Sequence, residues 1–251
     1  MRNARVLNRC DFPLPPNPRT NTMPLFDWHY WVIVGPFMLL SLWATWRVRS
    51  TFSKFHQVGV RTGMTGAQAA AAVCRAGGAT ETTIERVDGF LSDHYDPRTR
   101  TLRLSPDVYD GQSISSIAVA AHEAGHAIQH AHAYAWLGFR SKMVPVASVV
   151  SNLWIWVIMA GMFLHAPMLV NVGVALFAIV VVLQLVTLPV EFDASNRAKA
   201  VLASAGIVTT QEEAVGVSKV LRAAAMTYVA GALTAIATLI YYLMLANRSR
   251  D

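Results

Sequence analysis

The chain has 251 residues, of which 54% are hydrophobic and only 14% are charged, and its mean hydropathy is positive. This composition excludes an ordinary soluble domain and favours a membrane protein. The net charge of +6 comes from scattered Arg without interleaved aromatic residues, which argues against a nucleic-acid partner, and the two cysteines form no C-x-x-C motif.

Two different segments open the chain. Residues 1–27 contain five prolines and show no periodicity, so we predict a disordered tail. Residues 28–46 are uncharged and carry tryptophans at both ends, where the two interfaces of a lipid membrane would lie. This length of apolar helix spans a hydrocarbon core, so 28–46 is the first predicted transmembrane helix.

The segment 47–142 is more polar and is predicted to form a small α+β unit. Thr65 is a typical N-cap for an alanine-rich helix, and 82–87, 90–95 and 101–104 read as strands. A long helix is predicted from about 115 to about 132. An edge strand beside this helix is suited to bind an extended peptide, or it only covers the helix; the sequence leaves both readings open.

From Met143 to Val190 the sequence contains no Asp, Glu, Lys or Arg. We predict two spans here, 144–164 and 168–188, joined by a turn at the H-A-P sequence 165–167. Pro189 is expected to end the helix. Polar helices are then predicted over 189–223, followed by a fourth span at 224–246.

The pattern H-E-x-x-H occurs at residues 122–126. On a helix, His122 and His126 lie one turn apart on the same face, so both imidazoles can bind one metal ion, and neutral imidazole suits zinc. Glu123 lies beside them, in the position of the general base that activates water. The pattern predicts a catalytic site with one Zn²⁺ per chain. The alternative, a core helix with two histidines, would need a buried partner for each polar group.

A catalytic zinc usually has three protein ligands, and two candidates compete for the third place. His132 has the spacing of H-E-x-x-H-x-x-G-x-x-H, but Gln129 stands where that motif needs a glycine to turn the chain. His130 would lie about 12 Å along a straight helix from His122. Glu191 follows two predicted spans, which return the chain to the side that it left. Glu191 is the better candidate, although an acid favoured by a helix N-terminus is the alternative explanation.

Three stretches resemble the membrane-bound neutral zinc metallopeptidase family, the YugP-like proteins: SDHYDPRTRTLRLSPDVY at 92–109, AVAAHEAGHAIQ at 118–129 and LVTLPVEFDAS at 185–195. The likeness runs from about residue 31 to the end of the chain. The family is similar in layout to gluzincin membrane peptidases, which combine H-E-x-x-H with a later E-x-x-A-D. The resemblance implies that His122, His126 and Glu191 bind zinc and that Glu123 is the base.

The sequence departs from the wider gluzincin pattern at Ser195, where that pattern has Asp. Metal-binding histidines usually donate their second N–H to a fixed acceptor, so this substitution removes the expected carboxylate. Asp193 is nearby in sequence but should point to another side of its helix. A donor for the oxyanion of the reaction is also needed, and His94, Tyr95 and Arg197 are the candidates.

Together these features predict a mainly α, polytopic membrane protein with about four transmembrane helices and a small α+β zincin-like catalytic domain at the membrane surface. The expected function is hydrolysis of peptide bonds in a protein or peptide substrate by a metalloendopeptidase of the cell membrane. Fifteen of the 21 Lys and Arg residues fall in 47–142 and 189–223, so these segments should face the cytoplasm.

Three other functions are weighed. An intramembrane zinc protease would carry H-E-x-x-H inside a span, whereas here the motif lies among polar segments. A non-catalytic scaffold or chaperone could retain a zinc site, although structural sites normally have four protein ligands. A metal transporter should have acidic residues within its spans, and these spans have none.

Overall fold

The structure is a computed structural model that describes residues 27–89 and 92–248. The predicted tail therefore lies outside the described residues, except for Asp27, which caps the first helix by accepting a hydrogen bond from the His29 amide. The helices of the described part are α1 (Trp28–His56), α2 (Gly66–Ala76), α3 (Pro106–Tyr109), α4 (Ile114–Ala131), α5 (Ala135–Phe163), α6 (Pro167–Ser204) and α7 (Gln211–Arg248). Its strands are β1 (Thr83–Arg86), β2 (His94–Asp96) and β3 (Thr101–Leu104).

Four helices, α1, α5, α6 and α7, are long and apolar enough to cross a membrane. Helix α1 packs along α7, and α6 contacts both α5 and α7. In the most apolar windows of α1 and α5, only 11% and 17% of the residues are buried within the protein. Large apolar surfaces of this kind suit lipid rather than water as their surroundings. The mainly helical architecture and the four apolar helices confirm the corresponding predictions.

The apolar helices extend further than the predicted spans. Helix α6 continues without a break from the apolar segment through Pro189 to Ser204, so the prediction that Pro189 ends a helix is wrong. A proline removes one backbone hydrogen bond, but helices within a membrane tolerate it where neighbouring groups compensate. Pro36 and Pro145 likewise lie inside α1 and α5. Glu191 consequently lies in the middle of α6, and the explanation that a helix N-terminus favours this acid is also wrong.

The predicted α+β unit is present between α1 and α5. Strand β3 lies in the centre of the sheet, parallel to β1 and antiparallel to β2. The predicted strand 101–104 is confirmed as β3. Strand β1 is shorter than the predicted strand 82–87 by one residue at each end. Strand β2 covers only the last two residues of the predicted strand 90–95 and extends to Asp96; residues 90 and 91 lie outside the described part. The predicted cap of α2 is confirmed, since Thr65 Oγ1 accepts from the Gln68 amide at 3.2 Å.

Helix α4 is the centre of the largest buried core. It contacts α2, α6, α7 and strands β2 and β3, and 13 of its 18 residues are buried. Its many alanines and Gly125 let these neighbours approach closely. The bounds agree with the predicted helix 115–132 to within one residue. The turn at 165–167 is confirmed as well, because α5 ends at Phe163 and α6 begins at Pro167. The α5–α6 hairpin therefore leads the chain from α4 back to α4.

Candidate metal centre

Three side chains from two helices converge beside the middle of α4. His122 Nε2 lies 3.1 Å from Glu191 Oε2, and His126 Nε2 lies 3.7 Å from the same oxygen. The two imidazole rings are 4.9 Å apart and nearly perpendicular. One ligand atom from each residue lies within 4.8 Å of the others. The structure thus brings together the three residues predicted as zinc ligands, although Glu191 belongs to a distant part of the sequence.

The geometry of this group fits zinc. Zinc bonds of 2.0–2.1 Å in a tetrahedral arrangement place neighbouring ligand atoms about 3.3 Å apart. The two distances to Glu191 Oε2 lie on either side of that value. Glu191 is only 2% exposed and His126 only 7% exposed, so the site is shielded from bulk water. Two histidines with one carboxylate form a donor set typical of catalytic zinc, with a fourth place left for water or substrate.

Ser195 supports the first histidine. Its hydroxyl oxygen lies 3.1 Å from His122 Nδ1, on the opposite side of the ring from Glu191. If Nε2 binds the metal, Nδ1 carries the proton and donates it to the serine oxygen. The departure from the wider sequence pattern is therefore compensated locally: a neutral hydroxyl takes the place of the expected carboxylate.

Gln129 supports the second histidine and was not predicted as a site residue. Its Oε1 lies 3.0 Å from His126 Nδ1, while its Nε2 donates to the Val190 carbonyl and to Asp193 Oδ2, each at 2.8 Å. Because both amide hydrogens have acceptors, the oxygen must face His126, which leaves His126 Nε2 free for the metal. Asp193 does not contact either ligand histidine, as expected, but it fixes Gln129. Gln129 lies three residues after His126 and therefore on the same face of α4. This spacing was the sequence signal that could have identified Gln129 as a partner of the ligand.

Glu123 is half-buried and lies among charged groups. Burial raises the pKa of Glu123; the neighbouring histidines His122 and His126 oppose this shift, and the carboxylates of Glu191 and Asp93 add to it. A carboxylate in such surroundings holds a proton more tightly than a surface glutamate does. This property suits a group that accepts a proton from water, which is the role predicted for Glu123.

Two further residues reach the centre from α5 and α7. Arg140 Nη1 lies 3.4 Å from Glu191 Oε1, the carboxylate oxygen that does not face the histidines. The hydroxyl of Tyr228 also reaches Glu191. Sequence reasoning missed both. Arg140 belongs to the positively charged segment 47–142 and Tyr228 to the predicted span 224–246, and no motif distinguishes either residue.

The rival metal ligands lie elsewhere. His132 Nδ1 is 3.2 Å from Arg197 Nη1, and His130 Nδ1 is 2.8 Å from the Tyr95 hydroxyl. Neither histidine belongs to the metal-binding group found in the described residues. The helix continues past Gln129, as the sequence predicted, and carries both side chains beyond the ligand face.

The predicted oxyanion donors also have other partners. Tyr95 is held by His130, and Arg197 Nε donates to Asp193 Oδ2 at 2.5 Å. His94 is exposed, with its Nδ1 2.8 Å from the Ser92 carbonyl oxygen. None of these three contacts involves Glu191.

The structure combines four helices of membrane-spanning length with a candidate metal centre between α4 and α6, which is the architecture expected of a helical membrane protein with a metal site. A family model described as "Putative neutral zinc metallopeptidase" matches residues 30–247. The "Putative membrane protease YugP" of Bacillus subtilis (strain 168) is 44% identical over 212 residues, which cover 84% of this chain and 94% of that protein. No solved structure matches the chain. The chain therefore belongs to this neutral zinc metallopeptidase family, and the resemblance predicted from its motifs is confirmed.

Proposed function

We propose that the protein is a membrane-bound zinc metalloendopeptidase that hydrolyses peptide bonds. His122, His126 and Glu191 hold one Zn²⁺, and Glu123 is the general base. The observation that carries this proposal is the meeting of two α4 imidazoles and an α6 carboxylate within 4.8 Å, with Glu123 next in sequence to His122. Membership of a zinc metallopeptidase family supports it.

The chain's own residues supply most of the mechanism. Zinc held by His122, His126 and Glu191 would supply a Lewis acid for the attacking water and the substrate carbonyl. Glu123 accepts a proton from the water and later passes it to the leaving nitrogen. Ser195 and Gln129 keep the two imidazoles in fixed orientations throughout, so the ligands need no rearrangement before the reaction.

Strand β2 is the proposed binding edge for an extended protein or peptide substrate. In the described part of the chain, β2 pairs with β3 alone, and it contacts α4. A polypeptide that pairs with the free edge of β2 would run beside the helix that carries the metal ligands. This arrangement is the zincin-like feature of the proposed catalytic domain.

The proposed position of the centre is the cytoplasmic surface of the cell membrane. Glu191 lies three residues beyond the predicted span 168–188, and Arg140 lies four residues before 144–164. Tyr228 is the fifth residue of the predicted span 224–246. Three helices thus bring residues from one predicted membrane boundary to the metal centre, and the positively charged segments on this side favour the cytoplasm.

Zinc content and proteolysis of the detergent-purified full chain test the proposal. We expect about one zinc per wild-type chain and cleavage of fluorescently labelled casein. Glu123→Gln should keep its zinc and lose cleavage at least about 100-fold, because only proton transfer is removed. Glu191→Ala should lose zinc, whereas His132→Ala should retain it, and His165→Ala in the exposed α5–α6 turn is the matched histidine control.

Two results would contradict the proposal in different ways. Unchanged zinc in Glu191→Ala would rule out the ligand assignment. Zinc-loaded wild type that cleaves neither casein nor a broad peptide library would instead favour a scaffold or chaperone with a retained zinc site.

A further inference from the structure

Hydrolysis of a peptide bond creates a negative oxygen, and each of the predicted donors contacts another group in this structure. When water adds to the carbonyl carbon, the C=O electron pair moves onto the carbonyl oxygen, and it returns when the C–N bond breaks. Positioned N–H or O–H donors at this oxygen lower the barrier strongly. The contacts of His94, Tyr95 and Arg197 described above do not involve Glu191, whereas Arg140 and Tyr228 contact this ligand. Arg140 and Tyr228 are therefore the candidate donors at the metal ligands.

Arg140 has the charge and the position for this role. One guanidinium nitrogen contacts Glu191 Oε1, while Glu191 Oε2 faces the two histidines. The Arg140 side chain keeps 28% of its surface exposed, against 3% for Glu191 and 13% for His122. A guanidinium group has five N–H donors, so the contact with Glu191 leaves others for a ligand. Once a metal balances the charge of Glu191, the positive charge of Arg140 is available to a second anion.

Tyr228 adds a neutral donor beside this cation. It is half-buried on α7, its hydroxyl reaches Glu191, and its charged surroundings include Glu123 and Arg140. Tyr228 therefore contacts the third ligand, and the proposed base and the arginine belong to its charged surroundings. A phenol in this position can donate its O–H to a substrate oxygen without introducing a further charge.

We propose that Arg140 and Tyr228 form an anion-binding subsite that receives the negative oxygen of the peptide bond under attack. Arg140 supplies charge-assisted N–H donors, and Tyr228 supplies an O–H donor. This inference rests on the proposed peptidase function. It assigns catalytic contacts to α5 and α7, two helices whose sequences otherwise indicate membrane spans.

Binding of a tetrahedral anion tests the subsite without relying on turnover. The probe is N-phosphoryl-Leu-Trp, measured by isothermal titration calorimetry against the full-length, zinc-saturated protein in detergent, with unphosphorylated Leu-Trp as the neutral comparison. We expect Arg140→Met to weaken binding of the phosphoryl compound about 10- to 100-fold. Arg140→Lys should recover part of this loss because it restores the charge but not the planar set of donors. Tyr228→Phe should weaken binding about 3- to 10-fold.

The control is Lys142→Met, which removes an exposed cation from the same helix and should change the affinity less than about twofold. Zinc affinity of every variant is measured in parallel. If Arg140→Met binds the phosphoryl compound as tightly as wild type, or if wild type shows no preference for it over Leu-Trp, the inference is wrong. A fall in zinc affinity that accounts for the whole loss would also overturn it, because Arg140 would then only position Glu191. Zinc binding and Glu123-dependent cleavage in wild type would remain intact in each case, so the proposed function is tested separately.

Discussion

At the scale of single residues, the proposed metal centre depends on which nitrogen of each imidazole is free to bind a metal ion. The Nδ1 atoms of His122 and His126 face Ser195 and Gln129, which leaves both Nε2 atoms directed to the Glu191 side. The H-E-x-x-H pattern specified the two histidines and the adjacent glutamate. It did not specify these partners, because hydrogen bonds between different helices leave no short motif.

Glu123→Gln should stabilise the zinc-free protein at neutral pH. Burial raises the pKa of Glu123 in the folded state above the unfolded value of about 4.3, so ionisation at pH 7 costs free energy in the folded state. The contribution of Glu123 to the stability of the zinc-free wild type should be largest below about pH 4 and fall as pH rises through the raised pKa. In thermal unfolding in detergent, zinc-free wild type and Glu123→Gln should have similar midpoints at pH 4. At pH 7 the midpoint of Glu123→Gln should be higher than that of wild type. An equal difference at both pH values would contradict this prediction.

Removal of either histidine partner should weaken zinc binding without abolishing it. Gln129→Met and Ser195→Ala leave the ligand rings in place but remove the acceptors that orient them. We expect each variant to bind zinc about 10- to 100-fold more weakly, as measured by competition with a chromogenic chelator. Ser204→Ala, near the exposed end of α6, is the matched control and should bind zinc as wild type does. Unaltered affinity in both test variants would show that these hydrogen bonds do not orient the ligands.

At the scale of elements, the centre is produced by the contact between α4 and α6. Gly125 lies between the two ligand histidines, and a Cβ atom added to it would lie 2.5 Å from the Ala194 carbonyl oxygen. The absence of a side chain therefore lets the backbone of α6 approach α4 closely. Because α6 is continuous through Pro189, Glu191 is held by a helix packed on several sides rather than by a loop.

Gly125→Ala should separate the two helices and weaken both folding and zinc binding. The added methyl group would overlap with backbone atoms of Ala194, which cannot rotate away as a flexible side chain can. We expect a loss of about 1–3 kcal/mol in stability and a lower zinc affinity. Gly138→Ala on α5 is the control, since its added methyl group meets no atom within 4 Å, and it should be neutral or slightly stabilising. Thermal unfolding and zinc titration measure both; wild-type zinc affinity in Gly125→Ala would refute the prediction.

At the scale of the whole molecule, two helices return the chain to the metal centre. Helix α5 leaves α4, α6 comes back, and their connecting turn lies at the far end of the hairpin. The α+β unit and the positively charged segments should therefore share one side of the membrane, with the α5–α6 turn on the other.

Labelling with a membrane-impermeant maleimide should distinguish the two sides. In a Cys10→Ser background, where Cys74 is buried, His165→Cys in the α5–α6 turn should react in intact cells. Arg98→Cys in the exposed β2–β3 turn should react only after the membrane is permeabilised. The reverse pattern would place the metal centre outside the cytoplasm, and equal labelling of both would contradict the two-sided arrangement.

The sequence by itself determined the family, the four apolar helices, most of the α+β unit and the candidate zinc motif. These features were predictable because hydropathy, helix caps and the spacing of His122 and His126 are patterns of residues that are close together in the sequence. The sequence also favoured Glu191 as the third ligand, because two intervening spans return the chain to the side of the membrane on which the H-E-x-x-H helix lies. Only the tertiary structure decided that α6 continues through Pro189, and that Ser195, Gln129, Arg140 and Tyr228 surround the centre. The physical reason is that packing between distant helices outweighs local propensity and determines which side chains meet, and neither effect is encoded in a short stretch of sequence.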